Sequence, residues 1–381
     1  MTDSSSRERI PELDGLRGLA ILLVLVFHYI SQEGLTPSHS LASHLQRLVI
    51  MGWTGVDLFF VLSGFLIGGI LMDVRASPTY YQTFYIRRLF RIIPIYYGWI
   101  FLYIVLLRFA GPIVRAHSNS GVMPTAGFPI YLHFLFLQNM GLITLIGLAG
   151  AWFGHTWSLA VEEQFYLVSP LLVRTLPVHR LPAFLSAVIV GAPVLRLILL
   201  RIVHVEPSLV GNLMPCRADS IATGMLAAAL WRNRTSREWL SARGEILYGA
   251  LVVLLAGSAA LWVWSPQSST FGMQSVGYTW VAMLYVVILL LVLTRPGGPI
   301  ASVMRIGWIR QVGGVSYCIY MIHLVVNVVC HAILLHGPPR ISTARAAAVT
   351  IFAGFLTYGL AKLSSIFFEN PLLRYGHRSR Y

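Results

Sequence analysis

Ile10-Pro-Glu-Leu-Asp-Gly-Leu-Arg-Gly-Leu-Ala-Ile-Leu-Leu-Val-Leu-Val-Phe-His28 begins polar and turns oily. Between Arg17 and His28 no side chain is ionisable. A helix near 15–33 is long enough to cross a bilayer, which takes roughly 17–25 apolar residues. An ionisable group within such a span is costly and points to function. Neutral imidazole is also the side chain best suited to accept a proton near pH 7. Taken alone, His28 is explained equally well by a hydrogen bond to a neighbouring helix.

The rest of the chain makes the membrane reading general. Of 381 residues, 56% are hydrophobic and 11% charged, a ratio that a soluble domain of this length has no use for. The net charge is +14, and Lys362 is the only lysine among 28 basic residues. The arginines lie between apolar stretches rather than on one soluble face, which argues against nucleic acid as a partner. Cys216, Cys318 and Cys330 have neither metal-type nor disulfide-framework spacing, so no metal site is expected. Glu12 and Asp14 abut the first apolar run and no small-residue cleavage site follows, unlike a signal peptide.

Apolar runs predict an all-α, polytopic bundle of about ten transmembrane helices. They fall near 15–33, 51–72, 87–110, 156–176, 183–203, 216–231, 245–264, 275–294, 313–336 and 343–368. Segment 128–147 is apolar but contains Pro129, Gln138 and Asn139, and reads as re-entrant within an extracytoplasmic stretch, 111–155. Segments 1–18, 73–91, 174–180, 232–243, 295–310 and 374–381 hold nineteen arginines, whereas the alternate connections hold about five. By the positive-inside rule both termini are cytoplasmic. Counting 128–147 as a full span would put the later basic loops outside, which favours ten spans over eleven.

Polar residues fall at two depths on this topology. His28 lies ~21 Å along its helix from Asp14, in the outer half, and Asp57 sits ~9 Å from the outer end of the second span. The fourth span opens with Ser158, Glu162, Glu163 and Tyr166; Ser158, Glu162 and Tyr166 share one side by i, i+4 spacing. Arg217 and Asp219 open the sixth. At the inner end, Arg17 meets Arg88 and Arg91, i, i+3 neighbours suited to gripping a phosphate or to anchoring lipid head groups. Ser316, Tyr320, His323 and Asn327 form a polar stripe at helical spacing, fitting interhelical hydrogen bonds and a substrate role equally. Gly64 and Gly68 form a GxxxG pair that reads as close helix packing.

These pieces together resemble the integral-membrane acyltransferase-3 family, O-acyltransferases of bacterial surface polysaccharides and some secreted small molecules. The matching residues are Leu13-Asp-Gly-Leu-Arg17-Gly with His28; Gly55-Val-Asp57 through Ser63-Gly64; Arg88-x-x-Arg91 before Pro94; and Trp157-Ser-Leu-Ala-Val-Glu162. Arg217-Ala-Asp219, Ser316-Tyr-x-x-Tyr320-x-x-His323 and Phe368-Glu369-Asn-Pro371 complete the series. The resemblance covers nearly the whole chain. It implies a ten-helix bundle in the bacterial inner membrane, acyl-CoA (acetyl-CoA first) as co-substrate with no bound cofactor, His28 as catalytic histidine and the arginine pair in the donor site. Relatives often carry an appended extracytoplasmic domain; the sequence ends at Tyr381, so residues 1–381 are expected to form one domain without it.

The mechanism expected from this reading places CoA phosphates on Arg17, Arg88 and Arg91, with His28 as general base for an acceptor hydroxyl, most simply on a glycan. Asp57 or Glu162 would orient the imidazole, as carboxylates do in other histidine pairs. Ser158, Glu163, Tyr166, Arg217, Asp219, Tyr320 and His323 would support the acceptor or the developing charge. The competing class is a multi-span transporter of a polar or anionic substrate, which also carries midplane charges and broken helices; the absence of repeat symmetry weighs against it.

Overall fold

The computed structural model describes residues 10–31, 41–116, 129–140, 150–376 and 378–379. The described residues are helical, with no strand among them. Ten helices have at least 16 residues: α1 (Pro11–Val26), α2 (Gly55–Asp73), α3 (Tyr80–Ala116), α4 (Trp157–Thr175), α5 (Leu181–Arg201), α6 (Met214–Arg232), α7 (Gly244–Trp264), α8 (Tyr278–Thr294), α9 (Ser316–Leu335) and α10 (Ala344–Ser364).

Eight segments, all but α4 and α6 with their flanking turns, are long and apolar enough to cross a membrane. Helices α4 and α6 are each 19 residues long but lack that apolar composition. They carry Glu162, Glu163 and Arg174, and Arg217, Asp219 and Arg232, respectively. The same side chains that make them chemically interesting make them poor spans by composition.

Two helix starts differ from the sequence expectation. Helix α1 begins at Pro11, a residue favoured in the first turn because its missing N–H has no partner there anyway. Helix α3 begins at Tyr80, because Arg87, Arg88 and Arg91 continue it; arginine is a good helix former and does not mark a loop. Of the expected re-entrant segment, residue 128 and residues 141–147 lie outside the described residues. The described part holds a single short helix, Tyr131–Phe134, and docks through buried Gln138 and Asn139.

Helix α2 is the axle of the bundle: 72% of its apolar window is buried, against 11% for the peripheral α7. Its closest neighbour is α6. A Cβ added at Gly64 would lie 2.0 Å from the Ile221 carbonyl oxygen, and one at Gly224 would lie 2.0 Å from that of Val61. Reciprocal glycines let the two backbones touch, the way small residues drive helix association where lipid removes the hydrophobic incentive. The GxxxG reading as a packing device therefore holds.

Candidate active site

Helix α1 ends in a π-helical turn, Phe27–Ser31. Such turns are rare and concentrate at functional positions, since the extra residue re-aims side chains. The turn delivers His28 and Tyr29 to α9. His323 Nε2 lies 3.1 Å from His28 Nδ1, and the rings stand 4.9 Å apart. Tyr29 donates to the His323 carbonyl oxygen (3.0 Å) and stacks on the His323 ring.

The partners determine the tautomers. His323 Nδ1 faces the Tyr320 carbonyl at 2.7 Å; a carbonyl only accepts, so that nitrogen carries the proton. In neutral His323, Nε2 is then an acceptor. His28 Nδ1 faces that nitrogen and, at 3.0 Å, the Val24 carbonyl. Two acceptors require Nδ1–H, which leaves the lone pair of His28 on Nε2. His28 is half-buried, whereas His323 is 0% exposed. The ring that can be reached is the one whose free nitrogen is basic.

The carboxylates lie elsewhere. Asp57 accepts from Arg217 at 2.6 Å and from Ser220 at 2.9 Å, all three buried. The Arg217 guanidinium also sits 3.7 Å from the Tyr278 ring centre, with Phe60 and Trp157 around it. Asp219 pairs with fully buried Arg196 at 2.9 Å and accepts from Thr279 at 2.6 Å. Arg196 spends its other donors on Thr279 and on the carbonyls of Cys216 and Gln274. A buried carboxylate without a cation is costly, and each of these aspartates has taken an arginine on a neighbouring helix.

Glu162 follows a different path from the one its sequence depth suggested. It accepts from Ser63 at 2.6 Å, and Ser63 also meets the Tyr166 hydroxyl at 2.9 Å. It lines a cavity of about 340 Å³ together with Arg17, Arg88 and Arg91. Segment 129–140 packs over the first turns of α4: Gln138 donates to the Thr156 carbonyl, and Gln164 bonds both Asn139 and the Phe136 carbonyl. Glu163 is on the next position round the helix, with Oε1 buried and unpartnered.

That cavity runs from the arginines to a wall made by Ser158 and Tyr320, whose hydroxyls are 2.5 Å apart. Arg17 is held by Asp14 at 3.0 Å, and Arg88 lies over the Tyr166 ring at 5.5 Å. The third arginine of the run, Arg87, donates twice to the Ser379 carbonyl and so ties α3 to the C-terminal segment. Beyond the wall stand the imidazoles: the Tyr320 ring is 5.8 Å from His323 and 5.1 Å from His155. His155 and Ser63 enter the site without having been singled out as functional from the sequence. His155 closes the stretch 111–155 expected outside the membrane, one residue before the predicted fourth span, and only tertiary packing places it beside His323.

Comparison with known proteins follows this geometry. A family profile described as an acyltransferase domain matches residues 10–361. The peptidoglycan O-acetyltransferase OatA of Listeria monocytogenes is 27% identical over 98% of this chain and 57% of its own length. The O-acetyltransferase OatA of Staphylococcus aureus is 24% identical, over 97% of this chain and 58% of its own length. The chain thus spans somewhat over half the length of these curated relatives. No solved structure matches it. With its profile match running from the first turn of α1 into α10, the chain belongs to the acyltransferase-3 family of integral-membrane proteins.

Proposed function

We propose that this chain is a membrane O-acetyltransferase. It carries an acetyl group from cytoplasmic acetyl-CoA to a hydroxyl on a cell-surface glycan, with His28 as general base. The observation that carries the reading is the tautomer chain Tyr320 carbonyl–His323–His28, which leaves a basic Nε2 on the accessible ring. General-base help of this kind is worth ~10²–10⁴-fold.

The donor reading draws on the cavity. Arg17, Arg88 and Arg91 line one end, and Ser158 and Tyr320 close the other, next to the histidines. A polyanion held by its phosphates on the arginines, with a thioester at the end of a slender arm, suits that shape. Glu162 bonded to Ser63 offers a polar stop along the way. In the membrane, α4 and α6 join the eight apolar spans, giving ten crossings of the plasma membrane with both termini cytoplasmic. Glu162, Arg217, Asp219 and Arg232 are tolerable there because each faces a partner or the cavity rather than lipid. The glycan acceptor follows from the relatives, which are named as O-acetyltransferases, one of them of peptidoglycan.

The test is direct: purified protein is given radiolabelled acetyl-CoA with and without a membrane glycolipid. Label moving to the glycolipid supports the reading. Label left on CoA under conditions where the protein is folded contradicts it.

A further inference from the structure

We propose that His155 is a catalytic residue: the N–H of its neutral imidazole holds the acyl carbonyl oxygen as negative charge develops on it. The proposal rests on the acetyl-transfer reading above.

His155 is 3% exposed and lies two residues before α4. Its ring stands edge-on to both Tyr320 and His323, at 5.1 and 5.2 Å between centres. The carbonyls of Tyr320 and Met321 approach it, yet neither of its nitrogens completes a hydrogen bond. Buried polar groups are normally paired, and one that is not calls for a reason. At the border between the donor cavity and the basic histidine, a substrate atom is the natural partner.

The backbone that carries the ring is also anchored. The His155 carbonyl accepts from the Tyr320 hydroxyl at 2.7 Å and from Ser158 at 3.5 Å, which fixes its backbone to the cavity wall. Pre-fixed donors aimed at developing charge are the most effective kind, and a neutral histidine serves in that role. Arg217, the other strong donor considered from the sequence, is paired with Asp57 and enclosed by aromatic rings, with only its Nε unpartnered. In the step itself, the acceptor oxygen bonds to the thioester carbon while its proton passes to His28 Nε2. The carbonyl π pair moves to oxygen, and the oxyanion accepts a hydrogen bond from the His155 N–H, which keeps its proton. Collapse restores C=O, and the departing CoA thiolate recovers the proton from the His28 imidazolium.

Three variants of the full chain test this, His155→Phe, His155→Met and His155→Gln, with acetyl-CoA as donor and peptidoglycan disaccharide fragments as acceptor probe. Only glutamine keeps an N–H donor, and methionine matches it in length and flexibility. The Phe and Met variants are expected to lose ~10²–10³-fold in kcat with the KM for acetyl-CoA within about twofold of the parent; Gln should retain about a tenth or more. Equal activity in the Met and Gln variants overturns the proposal, whether both are active or both are lost. A loss confined to KM does so too. His28→Ala is measured alongside. If it is dead while His155→Met is fully active, only the His155 assignment falls. If it is as active as the parent, or the parent transfers nothing, the site reading falls and takes this proposal with it.

Discussion

His323 Nε2 sits 3.1 Å from His28 Nδ1, so the imidazole proposed as base is oriented by a second imidazole rather than by a carboxylate. A carboxylate partner would hold a full negative charge beside the base. A neutral histidine fixes the tautomer without burying that charge, which suits the apolar surroundings of α1 and α9. The expected partners, Asp57 and Glu162, are bonded to Arg217 and Ser63 instead.

His323→Phe should therefore leave His28 with the Val24 carbonyl as its only Nδ1 partner. The lost hydrogen bond to a ring that becomes charged during the reaction is worth ~1.5–3 kcal/mol, or roughly ten- to hundredfold in rate. The effect should fall on kcat, with the KM for acetyl-CoA little changed. An equal loss in His323→Phe and in an untouched-site control such as Thr350→Val would point to folding instead.

Replacing Arg88 or Arg91 with Ala should raise the KM for acetyl-CoA ten- to hundredfold, on the same ~1.5–3 kcal/mol for a hydrogen bond to a charged group. Arg→Lys should rescue only in part, because ammonium keeps the charge and loses the planar fork. Kinetics on detergent-purified variants settle the matter. An unchanged donor KM in both alanine variants would assign the pair to lipid head groups.

Arg196 and Asp219 are both 0% exposed and paired at 2.9 Å. Arg196→Met alone should destabilise the protein by about 3–5 kcal/mol, since it strands a buried carboxylate. Adding Asp219→Leu should recover most of that loss. Thermal unfolding of the single and double variants in one detergent checks the order, and a double variant no better than the single would contradict it.

Orientation is tested by cysteine labelling. The three native cysteines are buried and free, so they can be removed. Cysteines at Ser268, after α7, and at Thr235, after α6, would occupy exposed positions beyond opposite ends of α7. In the proposed topology, position 268 labels from outside the cell and 235 only after the membrane is opened. Labelling of both from outside would exclude it.

Much of this was legible in the residues. Apolar runs located the helices, because a membrane span must be both long and oily. The isolation of His28 marked it, because none of the ten residues before it is ionisable. What could not be read was which buried groups meet. Asp57, Glu162 and Asp219 each needed a partner, but one-dimensional depth cannot say that Arg217, Ser63 and Arg196 supply it. Arg196 is the clearest case: it stands in an apolar run, fully buried, and gives no hint in sequence that it serves α6 and α8. His155 was hidden for another reason: it stands at the last position of the stretch expected outside the membrane, among aromatic residues that give it no polar periodicity.

The central claim is that His28 Nε2 takes the acceptor proton. Single-turnover acetyl transfer by His28→Ala, at insertion levels and thermal stability matching the parent, tests it most directly. The account predicts a fall of ~10²-fold or more. A variant that keeps more than about a tenth of the parental rate would contradict it, because a base of that worth cannot be removed so cheaply.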